Sequence, residues 1–421
     1  MKKLIHVIIA AVIFAGCQNR NTNQKKGNED QIVIGTVDSV YSNILDETRK
    51  IWVHVPAIAM PDSGKIKYPV LYLLDGDGHF SSVTGMVEQL STINGNTIMP
   101  ETIVVGIPNT DRTRDLTPTH VAEAFGDSSF VKTSGGGDEF LDFIQKELIP
   151  YVKKNYPASE YRTFVGHSFG GLTVVYALLT RPEIFDNYVA IDPSLWWDDL
   201  LLIKMADSIF ANENFNKKSL FTGVANTMPE GMDIATVVKD TTTDTQHIRS
   251  ILQFVKSAEL SKEKTGLNFG WKYYNDDDHG SVPLITEYDA IRFLFPWYRL
   301  KGLDRFFMPE TNTTAQDVID VINSHFATVA EHMGGSTAPP EALINTLGYG
   351  FMNSKMPEKA FAMFQMNLDN YPKSNNVWDS MGDYYLAQSD TLKAVEHFAK
   401  AVELGNTTYS KEKLEKYRKV N

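Results

Sequence analysis

Cysteine is almost absent from this chain of 421 residues, which has one, at position 17. A single cysteine excludes any intrachain disulfide. Positive charge is also scarce: 40 Lys and Arg stand against 52 Asp and Glu, a formal net charge of −12. With no basic stripe outside the N-terminus, this balance argues against a nucleic-acid partner. No His, Asp and Cys cluster has the spacing of metal ligands, so no metal or organic cofactor is expected.

The N-terminus combines a charged start, a short apolar run and small residues before Cys17. The run is too short to span a membrane and indicates a signal peptide over residues 1–16. Its end resembles the lipobox of bacterial lipoproteins, in which the cysteine is lipidated; an ordinary secretory signal with an incidental cysteine is the alternative. Residues 17–30 are polar and predict a flexible tether. The expected location is the cell envelope, on the periplasmic or surface face of the outer membrane, with lipidated Cys17 as the anchor.

The next 270 or so residues alternate strand and helix patterns. Residues 31–41 and 48–56 alternate apolar and polar side chains, as half-exposed antiparallel strands do. Residues 68–74 and 102–107 are continuous apolar runs, typical of central strands covered on both faces. Helical periods follow at 82–94 and 137–156. The pattern predicts a mostly parallel sheet with helices on both faces, in a domain over residues 31–302.

Ser168 is the predicted nucleophile. It lies in Gly166-His-Ser-Phe-Gly170, between a short strand and a buried helical stretch over residues 172–179. A serine on so sharp a turn needs small neighbours two residues either way, and its hydroxyl is then lifted clear of the sheet. The same letters also occur by chance in turns with a spectator serine. The strand before and the helix after favour the nucleophile.

A serine hydroxyl needs a base, and the base needs an acid to orient it. His279 follows the last predicted strand and precedes a helix, so it is expected at the rim where Ser168 emerges. His167, beside the serine, is expected to be structural. The acid should follow the strand ending near residue 224, which makes Glu230 the preferred candidate and Asp233 the next.

The oxyanion hole needs two backbone donors aimed at the developing charge. One should be the amide of Phe169. The other should come from the glycine-containing loop that begins at residue 75, where Gly76 or Asp77 is favoured, although Asp-Gly pairs are usually only turns. Arg112 and Arg114 lie on a loop after a central strand. Contact with an anionic group of the substrate and a solvated loop are equally compatible with their position.

Beyond residue 302 the pattern becomes wholly helical. Leu347-Gly348, Ala360 and Phe364 are matched 34 residues later by Met381-Gly382, Ala394 and Phe398. This period, with small residues where two helices cross, is the tetratricopeptide signature. The sequence therefore predicts a small all-α tetratricopeptide-like domain over residues 313–421, closed by helices at residues 316–332 and 410–419. Such a domain could bind a protein partner.

Four stretches, YPVLYLLDGDGHF, GHSFGGLTVVYAL, IDPSLWWD and HGSVP, resemble the putative-esterase (esterase D-like) family of α/β-hydrolases. The resemblance covers residues 31 to about 300. It implies the α/β-hydrolase fold, a nucleophilic Ser168 and a basic His279, with Trp196 and Trp197 lining an acyl or sugar cleft; core packing is the alternative for the two tryptophans. The acid does not carry over cleanly, because some siderophore esterases resemble a serine–histidine dyad.

The expected function is a serine carboxylic ester hydrolase that works through an acyl-enzyme, on a siderophore ester or an acylated carbohydrate of the envelope. Two alternatives remain at this point. One is a binding lipoprotein in which the helical repeats recruit a partner and the hydrolase part is a scaffold. The other is an acyltransferase on the same fold.

Overall fold

The computed structural model describes residues 31–56, 67–308, 311–336, 338–405 and 408–418. The predicted signal peptide at 1–16, the lipidation site Cys17 and the tether at 17–30 lie outside the described residues. In the described part of the chain, no helix combines the length and the apolar character needed to cross a membrane.

An eight-stranded sheet forms the centre of the fold, with strand order β1-β2-β4-β3-β5-β6-β7-β8. The first two strands form an antiparallel hairpin, and β2 also runs antiparallel to β4. All other neighbours are parallel. The strands are β1 Thr36–Ser42, β2 Glu47–His54, β3 Tyr68–Leu74, β4 Ile103–Ile107, β5 Ala158–His167, β6 Asn187–Ile191, β7 Ser219–Ala225 and β8 Asn268–Tyr274. The mostly parallel sheet predicted from the alternating pattern is confirmed.

Helices cover both faces of this sheet because its central strands are apolar on both sides. Every residue of β3, β4 and β6 is buried. The helices of this part are α1 Gly76–Ser91, α2 Arg112–Leu116, α3 Gly137–Phe143, α4 Ile149–Asn155, α5 Phe169–Thr180, α6 Trp197–Asn212, α7 Ile234–Val237, α8 Gln246–Thr265 and α9 Val282–Leu294. A π-helical turn at Ile144–Leu148 joins α3 to α4, so the predicted helix over 137–156 is continuous.

Two apolar layers fill the space between sheet and helices. The larger contains Phe140, Leu172 and Phe254, from α3, α5 and α8. The other contains Val83 from α1 and Ile291 from α9. The carboxyl ends of the parallel strands all reach one rim of the sheet, where side chains from distant parts of the sequence meet.

The C-terminal part of the chain is entirely helical, as predicted. Its helices are α10 Ala315–Met333, α11 Glu341–Asn353, α12 Pro357–Asn370, α13 Asn375–Ala387, α14 Thr391–Leu404 and α15 Thr408–Arg418. A Cβ on Gly348 would lie 2.6 Å from the ring of Phe364, and one on Gly382 would lie 2.5 Å from the ring of Phe398. The same glycine–aromatic crossing thus recurs after 34 residues. Assignment to the tetratricopeptide class stays a prediction.

The glycine–aromatic contacts define two helix pairs, α11 with α12 and α13 with α14, and further helices lie on both sides of these pairs. Val318 and Ile322 of α10 join the apolar cluster of the first pair. On the other side Ser410 donates to Asp379 at 2.8 Å. The helical part also contacts the sheet part, since the ring of His332 stacks on Trp297 with centroids 4.2 Å apart. The domain limits at 302 and 313 stay a prediction.

Candidate active site

Ser168 lies on a strained turn between β5 and α5. Its backbone has φ 59° and ψ −114°, a conformation that L-residues rarely adopt. A Cβ on Gly166 would lie 2.4 Å from the backbone of Gly170, so a larger residue cannot occupy that position. The strand, turn and helix expected around the serine are therefore present, and the glycine spacing has the steric origin predicted for it.

Backbone hydrogen bonds tie Ser168 to the exit of the neighbouring strand β6. Its amide donates to the carbonyl of Ile191 at 3.0 Å, and its carbonyl accepts from the amide of Ser194 at 3.1 Å. The hydroxyls of Ser168 and Ser194 lie 3.2 Å apart. The two residues between Ile191 and Ser194 are thus held directly beside the serine. One of them is Asp192.

Asp192 is fully buried and also has a left-handed backbone, with φ 39°. Its Oδ1 accepts from the amide of Ala225 at 2.9 Å. Its Oδ2 accepts from His279 Nδ1 at 2.6 Å and from His247 Nε2 at 2.8 Å. Burial alone would raise the pKa of this carboxyl, but the hydrogen bonds from the two histidines and the amide outweigh it and hold the pKa well below its ordinary value. Asp192 is therefore a carboxylate at neutral pH.

His279 follows β8 at the same rim, and its side chain is 41% exposed. Because Asp192 is ionised, Nδ1 of His279 must carry the proton of their hydrogen bond, which leaves Nε2 with its lone pair in the neutral ring. The ring of His167 lies 4.5 Å from that of His279. Burial first, and then the neighbouring His279, lower the pKa of His167 to about 4, so His167 is uncharged at neutral pH.

The prediction for the acid is wrong. Glu230 is exposed on the loop after β7. Asp233 is also exposed, and its carboxylate caps α7 by accepting from the amide of Thr236 at 2.8 Å. The expectation placed the acid after β7, whereas the carboxylate that accepts from His279 lies one strand earlier, directly after β6. An available signal was the aspartate directly after a buried strand and before a proline. Nothing in the sequence distinguished His247.

The aspartates before His279 hold the backbone of their own loop through hydrogen bonds. Asp278 Oδ1 accepts from the amides of Gly280 and Ser281, each at 2.9 Å. The Ser281 hydroxyl donates to Asp277 at 3.0 Å. These bonds hold the turn that carries His279 to the rim.

The residues expected to form the oxyanion hole lie near the turn at Ser168, but they form a helix rather than the expected loop. Asp75 directly follows β3 with φ 50°, and α1 begins at once with Gly76, so the expected loop is the first turn of a helix. The Asp75 carboxylate lies 3.2 Å from where a Cβ on Gly170 would be. The first amides of a helix have no partner within it, and Gly76, Asp77 and Phe169 all occupy such positions. Their role as oxyanion donors stays a prediction.

Both arginines named from the sequence are already paired. Arg112 makes a two-pronged contact with Asp75, at 2.6 and 3.0 Å, and also donates to the carbonyl of His167 at 3.2 Å. Arg114 pairs with Glu47 at 2.6 Å and with Asp115 at 2.7 Å. Arg112 therefore supports the backbone beside Ser168. A contact with the substrate stays a prediction for both.

The two tryptophans have different surroundings. Trp197 is buried, packs edge-on against Phe169 and donates from its indole N–H to Thr119 at 3.2 Å. Trp196 is half-buried, and its ring lies 4.5 Å from that of the exposed Phe125. Both line an open cleft of about 290 Å³, together with Val121, Glu123, Ala124, Phe125, Asp198, Asp199 and Gln246. The rings of Trp196 and Trp197 lie 6.1 and 5.2 Å from the ring of Phe169, the residue directly after Ser168.

Asp192, His247 and His279 also form a possible set of metal ligands, with ligand atoms within 4.8 Å of one another. Sequence spacing gave no sign of this set. Direct hydrogen bonds of both rings to one carboxylate oxygen account for the short separations. A tetrahedral ion would instead hold its ligand atoms more than about 3 Å apart.

Most of the sheet part of the chain matches a protein-family model. The model described as Putative esterase matches residues 42–270, more than half of the chain. The chain belongs to the putative esterase family. The match ends before His279, so the predicted base lies beyond the matched segment.

This putative esterase is similar to two curated proteins and to one protein of solved structure, among others. The ferri-bacillibactin esterase of Bacillus subtilis is 32% identical over 173 residues, which are 38% of this chain and 59% of that protein. The siderophore triacetylfusarinine C esterase of Aspergillus fumigatus is 31% identical over 34% of this chain and 50% of that protein. The chain thus spans between half and three-fifths of the length of these relatives.

The third is the crystal structure of an IroE-like serine hydrolase from Shewanella oneidensis. It has a TM-score of 0.64 and 29% identity, and the likeness covers 80% of this putative esterase and 99% of that chain. A share of 80% cannot fit within residues 1–302, so the structural likeness extends into the C-terminal helices.

Proposed function

We propose that this protein is a serine carboxylic ester hydrolase with Ser168 as nucleophile, His279 as base and Asp192 as acid. One observation carries the proposal. The backbone of the strained Ser168 is bonded to the segment 191–194, and Asp192 within that segment holds His279 by its Nδ1. Nucleophile, acid and base are thus joined through a few hydrogen bonds although they are 24 and 87 residues apart in the sequence.

In the proposed reaction, Nε2 of His279 takes the proton of the Ser168 hydroxyl as its oxygen attacks the ester carbonyl. The imidazolium is stabilised by Asp192, and the amide of Phe169 with an amide of Gly76 or Asp77 holds the oxyanion. The bond to the leaving alcohol breaks as His279 returns the proton to it. Water, deprotonated by His279, then attacks the acyl-enzyme and releases the carboxylic acid and free Ser168.

The proposed substrate is a siderophore ester or an acylated carbohydrate. The names of the two curated relatives support the siderophore. The aromatic pair Phe125 and Trp196 at the cleft fits an aromatic acyl group or a sugar face.

The charge of the cleft narrows the choice among these substrates. Its lining includes Glu123, Asp198 and Asp199 and no Lys or Arg, although Lys204 pairs with Asp199 from outside at 2.6 Å. A complex of iron(III) with three catecholates carries three negative charges, whereas a tris-hydroxamate complex is neutral. The acidic cleft therefore favours an uncharged ester over a ferric catecholate.

The test uses the purified protein and four esters: p-nitrophenyl acetate, a feruloyl ester, a ferric catecholate siderophore and a ferric hydroxamate siderophore. We expect hydrolysis of at least one, and covalent labelling by a serine-directed organophosphonate. Ser168→Ala should abolish both, while Ser324→Ala, on the exposed surface of α10, should change neither. Absence of labelling, or labelling that survives Ser168→Ala, would refute the proposal in favour of a scaffold.

Product analysis with an added alcohol separates hydrolysis from acyl transfer. A hydrolase gives the free acid as the main product even when the alcohol is present. Predominant transfer to the alcohol would instead assign the same residues to an acyltransferase.

We further propose that Cys17 anchors the protein to the envelope and that the C-terminal helices recruit a protein partner. The lipobox-like sequence and the polar stretch at 17–30 support the first proposal. Cys17→Ser should move the protein from the membrane to the soluble fraction of the producing cells. Equal partition of both forms would contradict a lipid anchor.

A further inference from the structure

We propose that His247 is a positioning residue of the active site, which fixes Asp192 and sets how strongly that carboxylate acts on His279. The inference rests on the proposed function, because it assigns to His247 a role in the Ser168–His279 chemistry. It concerns a residue that lies 32 positions before the base and on a different element.

The geometry puts both imidazoles on one oxygen. His247 Nε2 lies 2.8 Å from Asp192 Oδ2, and His279 Nδ1 lies 2.6 Å from the same atom. The two rings meet edge to face, with centroids 5.2 Å apart at 88°. His247 is largely buried, with a side chain 19% exposed. Asp192 itself is fully buried between these two rings and the backbone of Ala225.

His247 reaches Asp192 from the start of a helix. It is the second residue of α8, a helix of 20 residues. Since Asp192 is ionised, its oxygen accepts, and His247 must donate from Nε2. His247 therefore contributes a fixed N–H donor.

Sharing the oxygen has two consequences. The second donor keeps Asp192 from rotating, and therefore holds His279 in the tautomer that presents Nε2 to Ser168. It also shares the charge of Asp192 between two donors, so that Asp192 stabilises the His279 imidazolium less than it would with one donor. Removing the His247 donor should loosen the hold of Asp192 on His279.

The experiment compares three replacements on the hydrolysed ester. His247→Gln keeps an N–H donor at about the reach of Nε2, His247→Phe keeps the bulk without a donor, and His247→Ala removes both. We expect His247→Phe and His247→Ala to lower kcat about 10- to 100-fold with KM changed less than about 2-fold. His247→Gln should recover most of kcat.

A double-mutant cycle with Asp192→Asn separates positioning from general structure. In the Asp192→Asn background, His247→Phe should cost less than about 3-fold, because the carboxylate through which His247 acts is gone. The inference is overturned if His247→Phe has wild-type kcat, if His247→Gln is no better than His247→Phe, or if the loss of kcat is equally large in Asp192→Asn. Should His247→Ala not fold, the Phe and Gln variants decide.

Failure of this inference differs from failure of the proposed function. A wild-type protein whose ester hydrolysis depends on Ser168 but not on His247 refutes the positioning role alone. A protein without hydrolysis, or with hydrolysis that survives Ser168→Ala, refutes the catalytic assignment itself.

Discussion

The rim of the sheet and the C-terminal helices are built from opposite kinds of contact. At the rim, Ser168, Asp192, His247 and His279 come from four separate parts of the chain and are linked through largely buried hydrogen bonds. In the helices, side chains pack against partners on the next helix, and a glycine meets an aromatic ring at the same place in each pair. The rim gains chemistry from polar groups that burial disfavours, whereas the helices gain stability from close apolar packing.

Three residues that directly follow strands at the rim have left-handed backbones. Asp75 after β3 and Ser168 after β5 have φ of 50° and 59°, and Asp192 after β6 has φ of 39°. Each such residue costs on the order of 1 kcal/mol, which the rest of the fold must offset. The turn at each strand end brings its side chain into the shared site. A substitution at the rim should therefore affect catalysis first, and one in the helices stability first.

The largest expected effect comes from Asp192→Asn. Asparagine fills the same space but cannot hold the His279 imidazolium, and can favour the wrong tautomer, so kcat should fall about 10³- to 10⁴-fold on the ester that the wild type hydrolyses. Glu230→Gln is the matched control and should stay within about 2-fold. The opposite ranking of the two variants would return the acid to the loop after β7.

The converse expectation concerns Gly382→Ala. The new Cβ would lie 2.5 Å from the ring of Phe398, so the two helices must separate, and unfolding of the helical part should become easier by about 1–3 kcal/mol. Gly85→Ala is the control, since α1 leaves open space there and alanine favours helix by about 0.5–1 kcal/mol. Thermal unfolding measures stability, and ester hydrolysis at 25 °C should stay within about 2-fold for both. A loss of activity in folded Gly382→Ala would show that the two regions are coupled.

A third prediction compares two buried carboxyl groups within the sheet part. Glu287 of α9 is buried like Asp192, yet neither of its oxygens has a hydrogen-bond partner among the described residues. Burial raises the pKa of Glu287 to about 8, from an ordinary value of 4.5. Because the folded state holds the proton more tightly, stability should fall as pH rises between these two values and level off above the folded pKa.

Glu287→Gln removes that pH dependence. The free energy of unfolding of Glu287→Gln, relative to that of the wild type, should rise from pH 5 to pH 8, with a slope of at most about 1.4 kcal/mol per pH unit. Denaturant unfolding at several pH values measures this difference. Glu139→Gln, on an exposed surface of α3, should follow the wild type at every pH. A constant difference between Glu287→Gln and the wild type would mean that Glu287 ionises freely in the folded state.

The sequence was informative where a local pattern determines the structure. The glycines around Ser168 and the repeat of Gly348 at Gly382 follow from steric contacts between near neighbours. His279 could be placed because it follows the last strand. Asp192 could not, since its role depends on which strand end lies beside Ser168, a property of strand order. His247 could not be placed either, because its contact with Asp192 also depends on the tertiary structure. The position of Asp75 was missed because this left-handed residue starts α1 earlier than the apolar period of the helix indicates.

The bond between Ser168 and the exit of β6 has a consequence for how related enzymes can diverge. Ser168 and Asp192 move together, because backbone hydrogen bonds fix their spacing. Residues 226–245, between β7 and α8, contribute neither of these two side chains, although they end beside the cleft at Gln246. Insertions and exchanges there can alter which acyl group is admitted while the reactive pair keeps its alignment.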